Sequence, residues 1–316
     1  MHDISIIIVA WNVIHLVDEC LGKIRASKDG LKKQILFVDN GSSDGTGDLV
    51  RNEYPEVEYI WSETNLGFIR ANNLAYPHAT GRYVLMLNSD AFVGPETLAR
   101  TVAFMDTRPE YGALGCRLIG RDGALQPSGR NFPTPWRIFV TRMALDRWVG
   151  FLRGIDDRRQ DANAVRDCDW VTGCYLLARK SALDQLDFFL RPDYFMYNDD
   201  NDLCLRLARR GWKTVYFPED VVHLGGENAK QLGQLSKSGN VVNELSVEST
   251  YLYFRKNYGV AKVLSLYLWG LLFRVLQLSK RVFLRNKRIV VAEEWDSISV
   301  ETRLLFQTRF GAHSIH

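Results

Sequence analysis

The sequence is short of cysteine, of one-sided charge and of long apolar runs. Its five cysteines, Cys20, Cys116, Cys168, Cys174 and Cys204, are scattered and form no CxxC pair. That argues against a disulfide scaffold or a zinc ribbon and makes a reducing compartment the expectation. Lys and Arg number 40 against 37 Asp and Glu, a net charge of +3, which is too balanced to mark a nucleic-acid binder. The N-terminus has no basic region, and its apolar run from Ile4 to Trp11 is too short for a signal peptide. The longest later apolar stretch, Val263 to Phe273, stops at Arg274. A spanning helix needs about 20 apolar residues, so none is expected. What remains is ordinary globular composition, 46% hydrophobic and 24% charged over 316 residues. That is enough for a sizeable core and about two domains.

The first third alternates strands and helices. Ile4–Ala10 is β-rich and apolar on both faces, as a buried parallel strand requires. A helix is expected over Leu16–Arg25, then strands at Gln34–Asp39 and Val57–Trp61, a helix at Phe68–Tyr76, and a strand at Tyr83–Leu87. Repeated β-α-β units imply a mostly parallel sheet whose ligands lie at the strands' C-terminal ends. The polar clusters at Asp39 and at Asn88-Ser89-Asp90 fall at such ends. Residues from about Gly115 to Pro135 are rich in Gly and Pro and read as a boundary or a flap. A strand near Asp169–Ala178, a helix from Asp200 to Arg210 and a strand at Thr214–Phe217 follow. From about Val241 onward the chain reads as helical. Between Arg255 and Arg288 it carries nine Lys or Arg and no Asp or Glu around an aromatic and aliphatic run. That suits an interfacial helix on an anionic leaflet, with a core helix bearing a basic rim as the alternative. The expected division is 1–115, 116–240 and 241–316.

Four clusters carry chemistry. Asp39, followed by Asn40-Gly41-Ser42-Ser43-Asp44-Gly45, could accept a nucleobase imide N–H, although the same residues make a plain turn. Asp90 is the only carboxylate of Asn88-Ser89-Asp90. It could hold a hard divalent cation, which often takes one or two carboxylates plus phosphates, or simply end a strand. Asp199, Asp200 and Asp202 precede the apolar pattern of Leu203 and Leu207. One Asp would cap the helix, and at least one of the others could face a cleft as a general base. His223, beside Val221 and Val222 and after the Pro218-Glu219-Asp220 turn, is a structural histidine or completes a metal shell.

Together, in this order, the motifs resemble the inverting family 2 glycosyltransferases of GT-A fold. The matching pieces are Ser5–Val9, Val38–Thr46, Asn65-Leu66-Gly67-Phe68 with Asn72-Asn73, Leu87–Asp90, Gly173–Arg179, Phe195-Met196-Tyr197, Asp200–Arg206 with Gly211-Trp212, and His223. The stretch from Asp122-Gly123 to Ser128-Gly129-Arg130 and Phe132-Pro133, with the basic aromatic C-terminus, is similar to rhamnosyltransferases acting on polyprenyl-diphosphate-linked sugars. The resemblance implies an α/β fold, GT-A and Rossmann-like, with a helical C-terminal extension. It implies donor contacts from Ala10, Asn12, Asp39, Asn65, Gly67, Asn73, Asn88, Ser89 and Asp90. Asp90 and His223 would bind Mg²⁺ or Mn²⁺. Asp200 would be the base with Asp199 beside it, and Trp170, Thr172 and Gly173 would lie near the donor sugar or acceptor. The family usually has Glu where Asp199 stands. The implied donor is dTDP-L-rhamnose, or a UDP- or GDP-sugar. The implied acceptor is a polyprenyl-diphosphate-linked or other glycan, met on the cytoplasmic face of the inner membrane. No nucleic acid is implied, and a homodimer is compatible. Sugar nucleotidyl transfer and non-catalytic nucleotide-sugar binding are the rival readings. No Gly-rich basic phosphate loop follows Val9, which disfavours the first.

Overall fold

The computed structural model describes residues 2–28, 30–156, 160–225, 241–283 and 287–315, with the side chains of 241, 280–283 and 287–294 outside the description. In chain order the elements are β1 (Ile4–Ala10), α1 (Ile14–Arg25), β2 (Lys33–Asp39), α2 (Thr46–Glu53), β3 (Val57–Trp61), α3 (Phe68–Ala75), β4 (Tyr83–Asn88), β5 (Ala91–Val93) and α4 (Thr97–Asp106). Next come β6 (Tyr111–Ile119), β7 (Leu125–Gln126), α5 (Pro135–Met143), β8 (Arg166–Cys168), β9 (Tyr175–Arg179), α6 (Lys180–Leu183), α7 (Asp199–Arg209) and β10 (Lys213–His223). Helices α8 (Val241–Tyr258), α9 (Val260–Phe283) and α10 (Lys287–Gln307) end the chain.

The strands form one sheet in the order β3-β2-β1-β4-β9-β6-β10-β5, with β7 against β6 and β8 against β10. Strand β1 is parallel to both β2 and β4. Its residues are buried on both faces, as its nearly continuous apolar run demands. The one polar exception inside it, Ser5, donates to Gln34 Oε1 at 2.6 Å. It also accepts from the Gly81 amide at 2.8 Å, so the buried hydroxyl is satisfied.

The sheet is mixed, not mostly parallel: β9 runs antiparallel to both of its neighbours, β4 and β6. Reversing β9 brings its start, Gly173-Cys174, to the edge where β1, β2, β4, β6 and β10 end. Cys174 O accepts from Asn88 N there at 3.0 Å. The stretch expected as a boundary from Gly115 begins inside the buried strand β6. Gly115 is required there because a Cβ would lie 2.4 Å from Val171 Cβ. The expected Pro218-Glu219-Asp220 turn is instead an irregularity within β10, where the register against β6 shifts between Phe217 and Asp220. Proline is tolerated in a strand at such a bulge.

The chain divides into two compact units. The first holds Met1–Arg130, Gln160–Phe195 and Asp199–Lys237 and contains the sheet. The second holds Asn131–Arg159, Met196–Asn198 and Ser238–His316. Residues 131–159 therefore join the helical extension, which departs from the expected boundary at 241. The reason is aromatic packing: Trp136 and Phe139 of α5 meet Trp269 of α9 at 5.1 and 4.7 Å between ring centroids. Within this unit Val260–Ser279 is long and apolar enough to cross a membrane by length and composition, with a mean hydropathy of 1.4. That revises the expectation of no such segment. Arg274, read as its interruption, is paired with Glu301 of α10 at 2.6 Å. The basic side chains of Arg281, Arg285, Lys287 and Arg288 lie outside the described residues.

Candidate functional site

The sheet edge at the ends of β1, β2, β4 and β10 collects most of the expected residues. Ala10 sits opposite Asp39 in the β1–β2 register, and Val9 opposite Asn88 in the β1–β4 register. Asp39 is buried. Its Oδ1 accepts from Ser42 N at 2.9 Å and its Oδ2 from Tyr59 Oη at 2.7 Å. Tyr59 was not foreseen as a partner. Gly47 makes room for the pair, since a Cβ there would lie 2.5 Å from Tyr59 Oη. Asn12, with φ of 53°, takes Ser42 Oγ on its own amide and Ser43 N on its Oδ1. It ties the loop after β1 to the loop after β2.

Asn65 shapes the next loop from within. Its Oδ1 accepts from Asn40 Nδ2 and from Gly67 N, each at 2.9 Å. Gly67 has φ of 79°, and a Cβ there would lie 2.7 Å from Phe195 O. Only glycine fits both demands. Asn73 binds both backbone groups of Leu190, at 2.7 and 2.9 Å. Its amide therefore braces the segment before α7.

Ser89 and Asp90 form the turn between β4 and β5 and are both buried. The antiparallel pairing of β5 with β10 sets His223 opposite Ala91. His223 Nε2 thereby faces Asp90 Oδ1 at 3.5 Å, too long for a good hydrogen bond. That nitrogen is buried and has no hydrogen-bond partner among the described residues. Burial opposes charging of the ring, yet Asp90 and Cys174 outweigh it and push His223 up to about 10. On the other side of the ring, Nδ1 lies 2.8 Å from Gln126 Oε1. Sequence reasoning missed Gln126, and no spacing signal connects it to His223.

Without a cation the charged ring answers the buried carboxylate; once Nε2 gives up its proton, that nitrogen and the Asp90 carboxylate fit a divalent cation. Among the described residues no cluster of three or more His, Cys, Asp or Glu could hold an ion. Asp90 and His223 would therefore supply only part of a shell and leave room for phosphate oxygens.

The three aspartates of α7 have separate surroundings. Asp202 is fully buried between Arg206, at 2.7 Å, and Arg191, at 3.3 Å, and accepts from Tyr194 Oη. It is a structural anchor. Asp200 Oδ2 accepts from Gly173 N at 3.1 Å and its Oδ1 from Asn201 N at 2.8 Å. Burial raises its proton affinity, while these amides and the charge of Arg130 pull the other way. Asp199 is raised well above the ordinary range by burial and then by Asp200. Both carboxyls are raised by burial, and Asp200 is the one whose charged form is also favoured by Arg130 and by the amide of Gly173. Arg130 stands 4.6 Å over the Trp170 ring, and its charge favours the ionised form of Asp200. Thr172 donates to Pro127 O at 3.0 Å.

The model of glycosyl transferase family 2 matches residues 5–186. The chain belongs to that family. Among curated family 2 relatives, an N-acetylglucosaminyl-diphospho-decaprenol L-rhamnosyltransferase of Mycobacterium tuberculosis is 30% identical over 206 residues, 60% of this chain and 66% of the relative. The aligned stretch thus spans slightly less than two thirds of that relative. Rhamnosyltransferase WbbL of Escherichia coli is 26% identical over 226 residues, 68% of this chain and 80% of the relative. Among solved structures, a mannosyltransferase of Pyrobaculum calidifontis in complex with GDP-Man and Mn²⁺ superposes with a TM-score of 0.58 at 16% identity. That alignment covers 98% of this chain and 87% of the other. Staphylococcus aureus TarS 1-349 gives 0.52 at 15% identity, over 98% of this chain and 92% of that one. These likenesses fix the GT-A fold of this family 2 chain.

Proposed function

We propose that this chain is an inverting glycosyltransferase that moves L-rhamnose from dTDP-L-rhamnose to a polyprenyl-diphosphate-linked saccharide. The carrying observation is a short bonded path. Asp200 is held by Gly173 N, Cys174 O by Asn88 N, and two residues on Asp90 faces His223. A base and a diphosphate site are thereby neighbours. The names of the mycobacterial and E. coli relatives support the choice of sugar, and the mycobacterial name supports a lipid-diphosphate acceptor.

In this reading Asp39 accepts a hydrogen bond from the nucleobase and Asn12 holds the loop around it. Asp90 and His223 would hold Mg²⁺ or Mn²⁺, which when bound supplies positive charge against the departing diphosphate. Asp200, whose charged form is held by Gly173 N and Asn201 N, accepts the proton of the acceptor hydroxyl. That oxygen forms a bond to the anomeric carbon as the bond from that carbon to the diphosphate oxygen breaks, from the opposite face. Burial makes Asp200 a stronger base than an exposed aspartate.

Helix α9 supports action at a membrane surface. It exposes Leu264, Leu268, Leu272 and Val275, a stripe at helical spacing whose apolar side chains meet solvent. We assign the enzyme to the cytoplasmic membrane face on that stripe and on the lipid-linked acceptor.

The test is Asp200→Asn. It should fold, bind dTDP as the unaltered protein does, and lose sugar transfer and dTDP release by about 10²–10⁴-fold. Wild-type turnover in that variant removes the base. Release of inorganic diphosphate, in place of a nucleoside diphosphate, would mean nucleotidyl transfer.

A further inference from the structure

We propose that Gln126 is a positioning residue: it dictates which imidazole nitrogen of His223 faces Asp90. The inference rests on the cation site proposed above.

The geometry is a two-point clasp. Gln126 closes β7, opposite Leu118 of β6, and its side chain reaches the end of β10. Its Nε2 donates to His223 O at 2.7 Å, and its Oε1 lies 2.8 Å from His223 Nδ1. A backbone carbonyl can only accept, so the amide nitrogen must be the group that meets it. The amide oxygen is then turned toward Nδ1, and an amide oxygen can also only accept. Nδ1 must therefore carry a hydrogen. With Nδ1 committed to the protein, Nε2 is the nitrogen left to face Asp90 Oδ1.

An imidazole rotates about its last side-chain torsion in a broad two-fold well, and a half-turn would swing Nε2 away from Asp90. The clasp uses the histidine's own carbonyl as its reference point. Ring orientation is thus fixed to the backbone of the same residue, independently of any ligand. Histidines that bind metals commonly donate their other ring N–H to such a partner. Here the partner is a neutral amide on a strand that the motifs around Asp90 and His223 do not include.

The experiment uses the full chain, metal-free and labelled with ¹⁵N in the histidine rings, with the variants Gln126→Leu and Gln126→Glu. Two quantities are read: the ring-nitrogen spectrum of His223, and affinity for Mn²⁺ alone by electron paramagnetic resonance. The unaltered protein should show a hydrogen-bonded Nδ1–H. Gln126→Leu should lose that signal and bind Mn²⁺ about 10–100-fold more weakly. Gln126→Glu should keep the Nδ1–H signal, because its carboxylate accepts the same hydrogen, and should fall between the other two proteins in Mn²⁺ affinity, because it cannot donate to His223 O. Undiminished Mn²⁺ affinity in Gln126→Leu overturns the role. So does a Gln126→Glu variant as weak as Gln126→Leu, since the amide would then serve only to tie down a carbonyl. Failure of the unaltered protein to bind Mn²⁺ overturns the cation reading itself. In that event a Nδ1–H signal unchanged in Gln126→Leu would separately overturn the orienting role.

Discussion

Asp199 and Asp200 adjoin in sequence and burial raises the proton affinity of both, but Asp200 has amide donors and Arg130 to oppose the rise, whereas the charge of Asp200 adds to it at Asp199. For Asp199 the consequence is thermodynamic. Its folded proton affinity is raised, so its contribution to stability is complete below the ordinary carboxylate range and is lost as pH rises toward the folded value. Each tenfold gain in proton affinity on folding corresponds to about 1.4 kcal/mol. Asp199→Asn has no proton to lose. It should melt higher than the unaltered protein at pH 7, by a margin that shrinks toward pH 4. A margin independent of pH in thermal melts would mean that Asp199 is ionised in the native state.

At the scale of elements, the start of α7 shows why one Asp-rich motif serves several ends. Asp202 points inward to Arg206 and Arg191, and Arg206 in turn donates to Phe188 O and Phe189 O. The helix start thereby fixes the preceding segment, which carries Leu190 to Asn73. Asp202→Ala would leave a buried guanidinium without its carboxylate, a loss of about 3–5 kcal/mol, measurable by urea unfolding. A loss under about 1 kcal/mol would mean that Arg206 is held by the carbonyls alone.

The elements also mark what the sequence conveyed. Ile4–Ala10 and Val57–Trp61 are legible because apolar residues run without interruption or alternate between turn signals, and both strands have those bounds. Strand β6 is not legible. Gly112, Gly115 and Gly120 lie in or beside it and suggest a loop, whereas two of those glycines answer to close packing by Trp212 and Val171. Asp39, Asp90, Asp200 and His223 could be picked out as chemistry-bearing residues at element ends. Gln126 and Tyr59 could not, because both reach their partners through pairings between strands distant in sequence.

For the whole molecule, the apolar stripe of α9 makes a prediction about lipid surfaces. Leu268 is 62% exposed and Leu272 43%, so replacing them with Lys should leave the fold intact. Burying one leucine side chain in the acyl boundary is worth about 1.5–3 kcal/mol. Leu268→Lys should therefore reduce co-flotation with zwitterionic liposomes, which do not attract the added charge, by roughly tenfold or more. Undiminished flotation would assign that face to something other than lipid.

The direction of β9 has a further consequence. Because this strand is entered from the rim where Asn88 and His223 lie, the chain between Gln126 and Tyr175 begins and ends at that rim. Apart from β8, which pairs with β10, segments of different length and shape can be grafted there without altering the other strands. The chain between β7 and β9 can thus vary while the strands that carry Asp39 and flank Asp90 keep their places.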